Sequence, residues 1–150
     1  MVDFKAALFA GKKSIYAMIG LGVLIGLVSL IPFVGFLSIP LIVMQTALIN
    51  PVLLAYAGYV GAKETGGGIG MGAVAGLFAG LVCGIVLSAL AMIETAIGIG
   101  TNTAYASAYG VISGAAMAGV VGIVLIFSTI AFTIGGAVFG AAGGFLGNRK

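Results

Sequence analysis

The sequence contains no histidine and no tryptophan, a single cysteine, three prolines and three acidic residues. Without histidine, the Ser-His and Cys-His nucleophile pairs and the common zinc ligand sets cannot be assembled. The lone Cys83 excludes an internal disulfide, and its place in an apolar run marks it as a small packing residue rather than a reactive thiol. Asp3, Glu64 and Glu94 are widely separated at the ends of apolar runs, so a paired-carboxylate site would need a fold-back that no other feature suggests. Charged residues are scarce altogether, at 6% of the chain against roughly 25% in soluble domains. With 62% hydrophobic residues and a mean hydropathy of +1.34, the composition is that of an integral membrane protein. A net charge of +3 from six scattered basic residues is too small for a nucleic-acid footprint, and places the lysines at lipid headgroups instead. Gly66-Gly67-Gly68-Ile69-Gly70 lacks the GK[ST] of a phosphate loop and follows no strand. Neither enzymatic chemistry nor a cofactor or metal is expected of this chain.

What the sequence has in excess is glycine, 27 residues in 150, against a usual share of roughly 7%. There is no Gly-X-Y period, so the excess belongs to helix packing. From Gly72 to Gly84 the sequence reads GAVAGLFAGLVCG, with Gly72, Gly76, Gly80 and Gly84 four apart. Residues four apart lie one above the other on a helix, so this face carries no side chains. Gly68 and Ser88 extend the small-residue stripe in both directions. In lipid, close backbone approach along such a groove is a main source of helix association. The expected partner is the stripe Gly110, Gly114, Ala118 and Gly122 on the fourth span, with a pore or a seam between copies as the alternative. Leucine at Gly76 or Gly80 should force the helices apart, and alanine should be milder.

Taken in order, residues 1–13 suit a short interfacial helix or a frayed start. A first span follows at 14–31, after Lys12 and Lys13. A cleaved signal peptide fits less well, because the apolar run is too long and no small-x-small site follows it. Pro32, Gly35 and Pro40 punctuate a tight outer turn. The second span, 39–60, carries Gln45, Thr46 and Asn50-Pro51, and Pro51 is expected to kink it against the carbonyl of Ala47. Lys63 to Gly68 forms a loop, and the glycine helix occupies 69–92. Residues 94–108 form a second outer connection, with Tyr105 and Tyr109 at headgroup level. As one helix, 109–146 would be about 57 Å long, nearly twice the bilayer core of about 30 Å. Gly135-Gly136 is the expected break, giving a span at 111–134 and an interfacial or extended tail at 135–150; a later span ending near Leu146 stays open. The two hairpin halves share a weak compositional likeness.

The fold class is thus an all-α polytopic bundle, a single transmembrane domain over 1–150 with about four spans and glycine-zipper packing. Four spans put Lys5, Lys12, Lys13, Lys63, Arg149 and Lys150 on one side, which predicts a cell-membrane protein with both termini cytoplasmic. Within the apolar spans, Gln45 and Asn50 must find hydrogen-bond partners. They suit interhelical bonding, or else a polar cavity beside the carbonyl freed by Pro51, as in broken transporter helices. Glu94 is the one acid on the outer side, either a solvated headgroup carboxylate or the mouth of a cation path. The expected role is a structural or accessory membrane component, in contact with lipids and associating through glycine faces with itself or a larger complex. The alternative is a homo-oligomeric channel or minimal transporter.

Pro32-Phe33-Val34-Gly35, Asn50-Pro51 and Ala57-Gly58-Tyr59-Val60-Gly61, followed by a glycine-rich third span, resemble the pattern of small four-helix membrane proteins of archaea. The likeness touches about a third of the chain. It implies a bundle fold and transfers no functional residue.

Overall fold

The computed structural model describes residues 4–29, 31, 37–96 and 114–148. It consists of α1 (Phe4–Ser29), α2 (Ser38–Met44), a π-helical segment (Gln45–Ile49), α3 (Asn50–Thr65), α4 (Gly68–Ala96) and α5 (Gly114–Gly147). There is no strand among the described residues. Four stretches are long and apolar enough to cross a membrane: Phe4–Val28, Pro40–Thr65, Gly68–Ile93 and Gly122–Gly147. The expected all-α bundle of four membrane-length helices is therefore the observed fold. Helices are what such a sequence must form, because a lipid core offers no water to an open backbone amide or carbonyl.

Three boundaries differ from the sequence expectation, one of them the loop expected at Lys63 to Gly68, which is reduced to Gly66 and Gly67 because α3 runs on to Thr65 and α4 begins at Gly68. The interfacial helix at 1–13 and the span at 14–31 are one helix from Phe4 onward, so Lys12 and Lys13 lie well inside α1. Gly11 does not interrupt it and is buried against α4, where a β-carbon would stand in ordinary contact, 3.4 Å from the Ala75 carbonyl. Gly135-Gly136 is likewise no break: α5 runs unbroken for 34 residues, about 51 Å at 1.5 Å per residue. Glycine ends helices in water partly because solvent can take the freed backbone groups. In lipid that alternative is missing, and Gly136 is packed against Gly76 and Gly80. Residues 32–36 of the first outer turn and 97–113 of the second connection, with Tyr105 and Tyr109, lie outside the described residues.

Gly66 ends α3 in the left-handed conformation (φ 67°, ψ 7°), with its N–H donating to the Ala62 carbonyl. That conformation costs glycine little and closes the helix end. Thr65 Oγ1 donates to the Gly61 carbonyl at 2.6 Å and accepts from the Gly67 N–H at 3.2 Å, so α3 turns into α4 within two residues.

The pairings set the direction of each helix. Gly11 meets Ala75 and Ala79, Cys83 meets Ile15, and Gly22 meets Leu87, so α1 and α4 run parallel. Gly72 faces Gly144 and Gly84 faces Thr129 and Phe132, so α4 and α5 run antiparallel and form the most extensive contact of the bundle. Ile15, Met18, Leu54, Ala57, Ala79 and Cys83 form the central core, where α1, α3 and α4 meet. A second cluster of Ala7, Met71 and Ala75 lies nearer the lysine-bearing end. The outward surface is mostly apolar; on α5 it includes Ile126, Phe127, Ile134 and Val138.

Candidate functional site: a glycine interface and a buried polar set

Gly72, Gly76, Gly80 and Gly84 do face another helix. A β-carbon at Gly72 would lie 2.5 Å from Gly144 Cα, and one at Gly76 would lie 2.6 Å from Gly140 Cα and overlap the Gly136 carbonyl. At Gly80 it would overlap the Phe132 carbonyl, while at Gly84 the nearest atom, Thr129 Cα, is 3.1 Å away. Real β-carbons do not approach backbone as closely as at Gly72, Gly76 and Gly80, so the contact exists only because α4 lacks side chains there, and at Gly72 and Gly76 the partner on α5 is glycine as well.

The partner stripe is not the expected one. It is Gly136, Gly140 and Gly144, continued by Phe132 and Thr129, and not Gly114 and Gly122. A β-carbon added to Gly122 would meet nothing within 4 Å among the described residues. Continued along α5, the antiparallel register carries Gly114 past the end of α4, and Gly110 lies outside the described residues. The signal was present in the sequence, since Gly136, Gly140 and Gly144 repeat the four-residue period inside the stretch expected to be a tail.

The same surface continues onto α3. Gly58 lies against Gly140, and Gly143 lies against the Ala55 carbonyl with the Tyr59 nitrogen 2.9 Å from its β-carbon position. A β-carbon on Gly61 would stand 2.7 Å from Ala75 Cβ. Gly140 therefore contacts two helices at once, which no substituted residue allows. At the far end of the interface the glycines give way to hydroxyls: Ser88 Oγ lies 3.0 Å from Ser128 Oγ and 3.4 Å from Thr129 Oγ1. Ser88 and Thr129 also line an open, apolar groove of about 360 Å³ between α4 and α5, together with Ile85, Met92, Ile126 and Ile130.

The polar set is built by the π-helical segment. In a regular α-helix Gln45 and Asn50 would lie about 140° apart around the axis. Instead the Asn50 N–H donates to the Gln45 carbonyl five residues back. That single wide turn brings both side chains inside, Gln45 at 6% and Asn50 at 2% exposure. The same turn accommodates Pro51, which falls in the first turn of α3, where its missing N–H is not required. A π segment thus directly precedes the proline expected to mark a kink.

Gln45 Nε2 donates to the Met18 carbonyl at 3.3 Å, an interhelical bond between the π segment and α1. Asn50 Oδ1 is buried without a hydrogen-bond partner among the described residues, and so is Ser14 Oγ, at 1% exposure. Ser14 lies one turn before Met18 and Asn50 one turn before Leu54, so both flank the central core from facing helices. Sequence reasoning misses Ser14, because it stands at the edge of the expected span. Cys83, fully buried, has its Sγ 3.8 Å from the Ile15 carbonyl, as a packing residue would. Thr46 is exposed. Glu94 belongs to the last turn of α4, and its side chain lies outside the described residues.

At the opposite end, the Lys12 ammonium stands 5.6 Å from the Tyr16 ring centre and the Lys63 ammonium 5.5 Å from that of Tyr59. Lys63 Nζ also donates to Tyr59 Oη at 3.3 Å. Among the described residues no three His, Cys, Asp or Glu side chains converge on one point.

Fold and interior together define the class: an all-α bundle whose four long helices have the length and apolarity to span a membrane. The chain matches no family model, no curated protein and no solved structure.

Proposed function

We propose that this protein is a structural or accessory component of the cell membrane, a compact bundle that associates laterally with copies of itself or with a larger membrane complex. The observation that carries this reading is the use of the glycine faces within the chain: α4 offers Gly72, Gly76 and Gly80 to α5, and α5 offers Gly140 to α3 as well. Such an arrangement is a glycine zipper closed on itself, and it leaves little volume between those helices for a solute path. Lateral association then falls to the apolar outward faces rather than to the glycines. The one-sided lysines support a topology with both termini in the cytoplasm. Extraction in mild detergent, followed by mass measurement of the particle, tests the reading. Recovery with other membrane subunits or as a defined oligomer supports it; a lone monomer that conducts a solute in liposomes contradicts it.

A second reading is favoured by the unpartnered Asn50 Oδ1 at the end of a π segment, a form of helix that recurs at functional sites, and by the unpartnered Ser14 Oγ on α1. In that reading the polar set accepts a small solute or ion within the bundle, and the protein is a minimal transporter or channel. Pure protein in liposomes would then pass a solute, and Asn50→Leu would abolish the flux with assembly intact.

A further inference from the structure

Lys12 sits in an unusual place for a lysine of a membrane helix. It lines a groove of about 230 Å³ on the outside of the bundle, together with Leu8, Phe9, Ile15 and Tyr16 of α1 and Val82 of α4. Val82 is midway along α4, and among the described residues no carboxylate lines the groove. The Tyr16 ring is the partner the structure gives the Lys12 ammonium. Lys13, beside it, is exposed.

Helix length explains how two lysines can stand there. At 29 residues, α4 is about 44 Å long, against a hydrocarbon core of about 30 Å, so roughly 14 Å of it must lie outside that core. Gly11, next to Lys12, contacts Ala79, and from Ala79 to Ala96 α4 covers about 26 Å. A hydrocarbon boundary at Lys12 and Lys13 therefore leaves nearly a full span on one side of them. The remainder of α1, with exposed Phe4 and Phe9, reaches into the headgroup layer, where aromatic rings are favoured.

We propose that this groove is a binding site for a phospholipid with an anionic headgroup. The phosphate region lies against the Lys12 ammonium group, and one acyl chain follows Ile15, Tyr16 and Val82 toward the membrane centre. Charge complementarity selects the headgroup, since the Lys12 cation lines a groove that no described acid lines, and the apolar walls select a lipid over a soluble phosphate. The proposal stands apart from the accessory reading and survives its failure, because it concerns the surface and not the partner or flux.

The test uses the purified full chain in phosphatidylcholine bilayers carrying a trace of spin-labelled phosphatidylglycerol or spin-labelled phosphatidylcholine. The motionally restricted fraction gives the relative affinity of each lipid for the protein. A basic residue at the membrane surface attracts an anionic lipid about fivefold, so wild type should prefer phosphatidylglycerol by about that factor or more. Lys12→Gln should lower the ratio severalfold and clearly more than Lys63→Gln does, while Lys12→Arg keeps it. Val82→Phe, which fills the groove and leaves both lysines in place, should lower it as well. An absence of preference in wild type, an undiminished preference in Lys12→Gln or in Val82→Phe, or an equal loss in Lys63→Gln would overturn the proposal.

Discussion

Gly76 and Gly140 each occupy the space where the other's side chain would be: a β-carbon on Gly76 lies 2.6 Å from Gly140 Cα, and one on Gly140 lies 2.7 Å from Gly76 Cα. Both helices present backbone to backbone, so neither site has a flexible group that can yield. Alanine, expected from the sequence to be milder than leucine, is therefore disruptive here as well. Gly76→Ala and Gly140→Ala should each destabilise the bundle by about 1–3 kcal/mol or more, and leucine should prevent the contact. Gly20→Ala and Gly135→Ala, where a β-carbon would meet nothing within 4 Å among the described residues, should be neutral or gain up to about 1 kcal/mol of helix propensity. Unfolding in detergent, followed by circular dichroism, separates the two groups.

That contrast also shows what the sequence could and could not disclose. Hydropathy placed four spans, and the four-residue period of Gly72 to Gly84 announced a face that needed a bare partner. The partner was hidden by a length argument. A 38-residue apolar run is longer than a bilayer-spanning helix needs, which points to a break at the glycine pair 135–136 and assigns Gly136, Gly140 and Gly144 to a tail. Long helices that overshoot the bilayer remove that objection. Gln45 and Asn50 were visible as costly amides, but their five-residue spacing put them on different faces of an α-helix. Only the π segment, which no propensity rule marks, turns both inward.

Asn50 and Gln45 should respond differently to the same substitution. Gln45→Leu removes the bond to the Met18 carbonyl, a loss of about 0.6 kcal/mol by comparison with other membrane helices. Asn50→Leu removes a buried, unpartnered Oδ1 whose burial costs about 1–3 kcal/mol, and should be neutral or stabilising. Unfolding midpoints of the two variants in one detergent give the comparison.

Cys83 should be inert in the folded protein, since its side chain has no exposed surface. A small maleimide should label it only after denaturation, with full labelling in SDS as the control. Rapid labelling under native conditions would mean that α1 separates from α4.

Both ends of the chain's second half should face the same side of the membrane, because Asn148 lies against Gly68 at the lysine-bearing end. In a Cys83→Ala background, Lys63→Cys and Asn148→Cys should both resist an impermeant thiol reagent added to intact cells and react once the membrane is opened. Labelling of either from outside would reverse the topology inferred from the lysines.

The central claim is that the glycine face of α4 closes against α5 of its own chain, and one cross-link tests it. Ser88 Oγ and Ser128 Oγ, 3.0 Å apart at the end of that interface, are close enough for a disulfide after Ser88→Cys and Ser128→Cys in a Cys83→Ala background. Mild oxidation in native membranes should give a product of monomer mass, two hydrogens lighter, that reverts on reduction. A disulfide-linked dimer in its place, or no cross-link at all, would contradict the account.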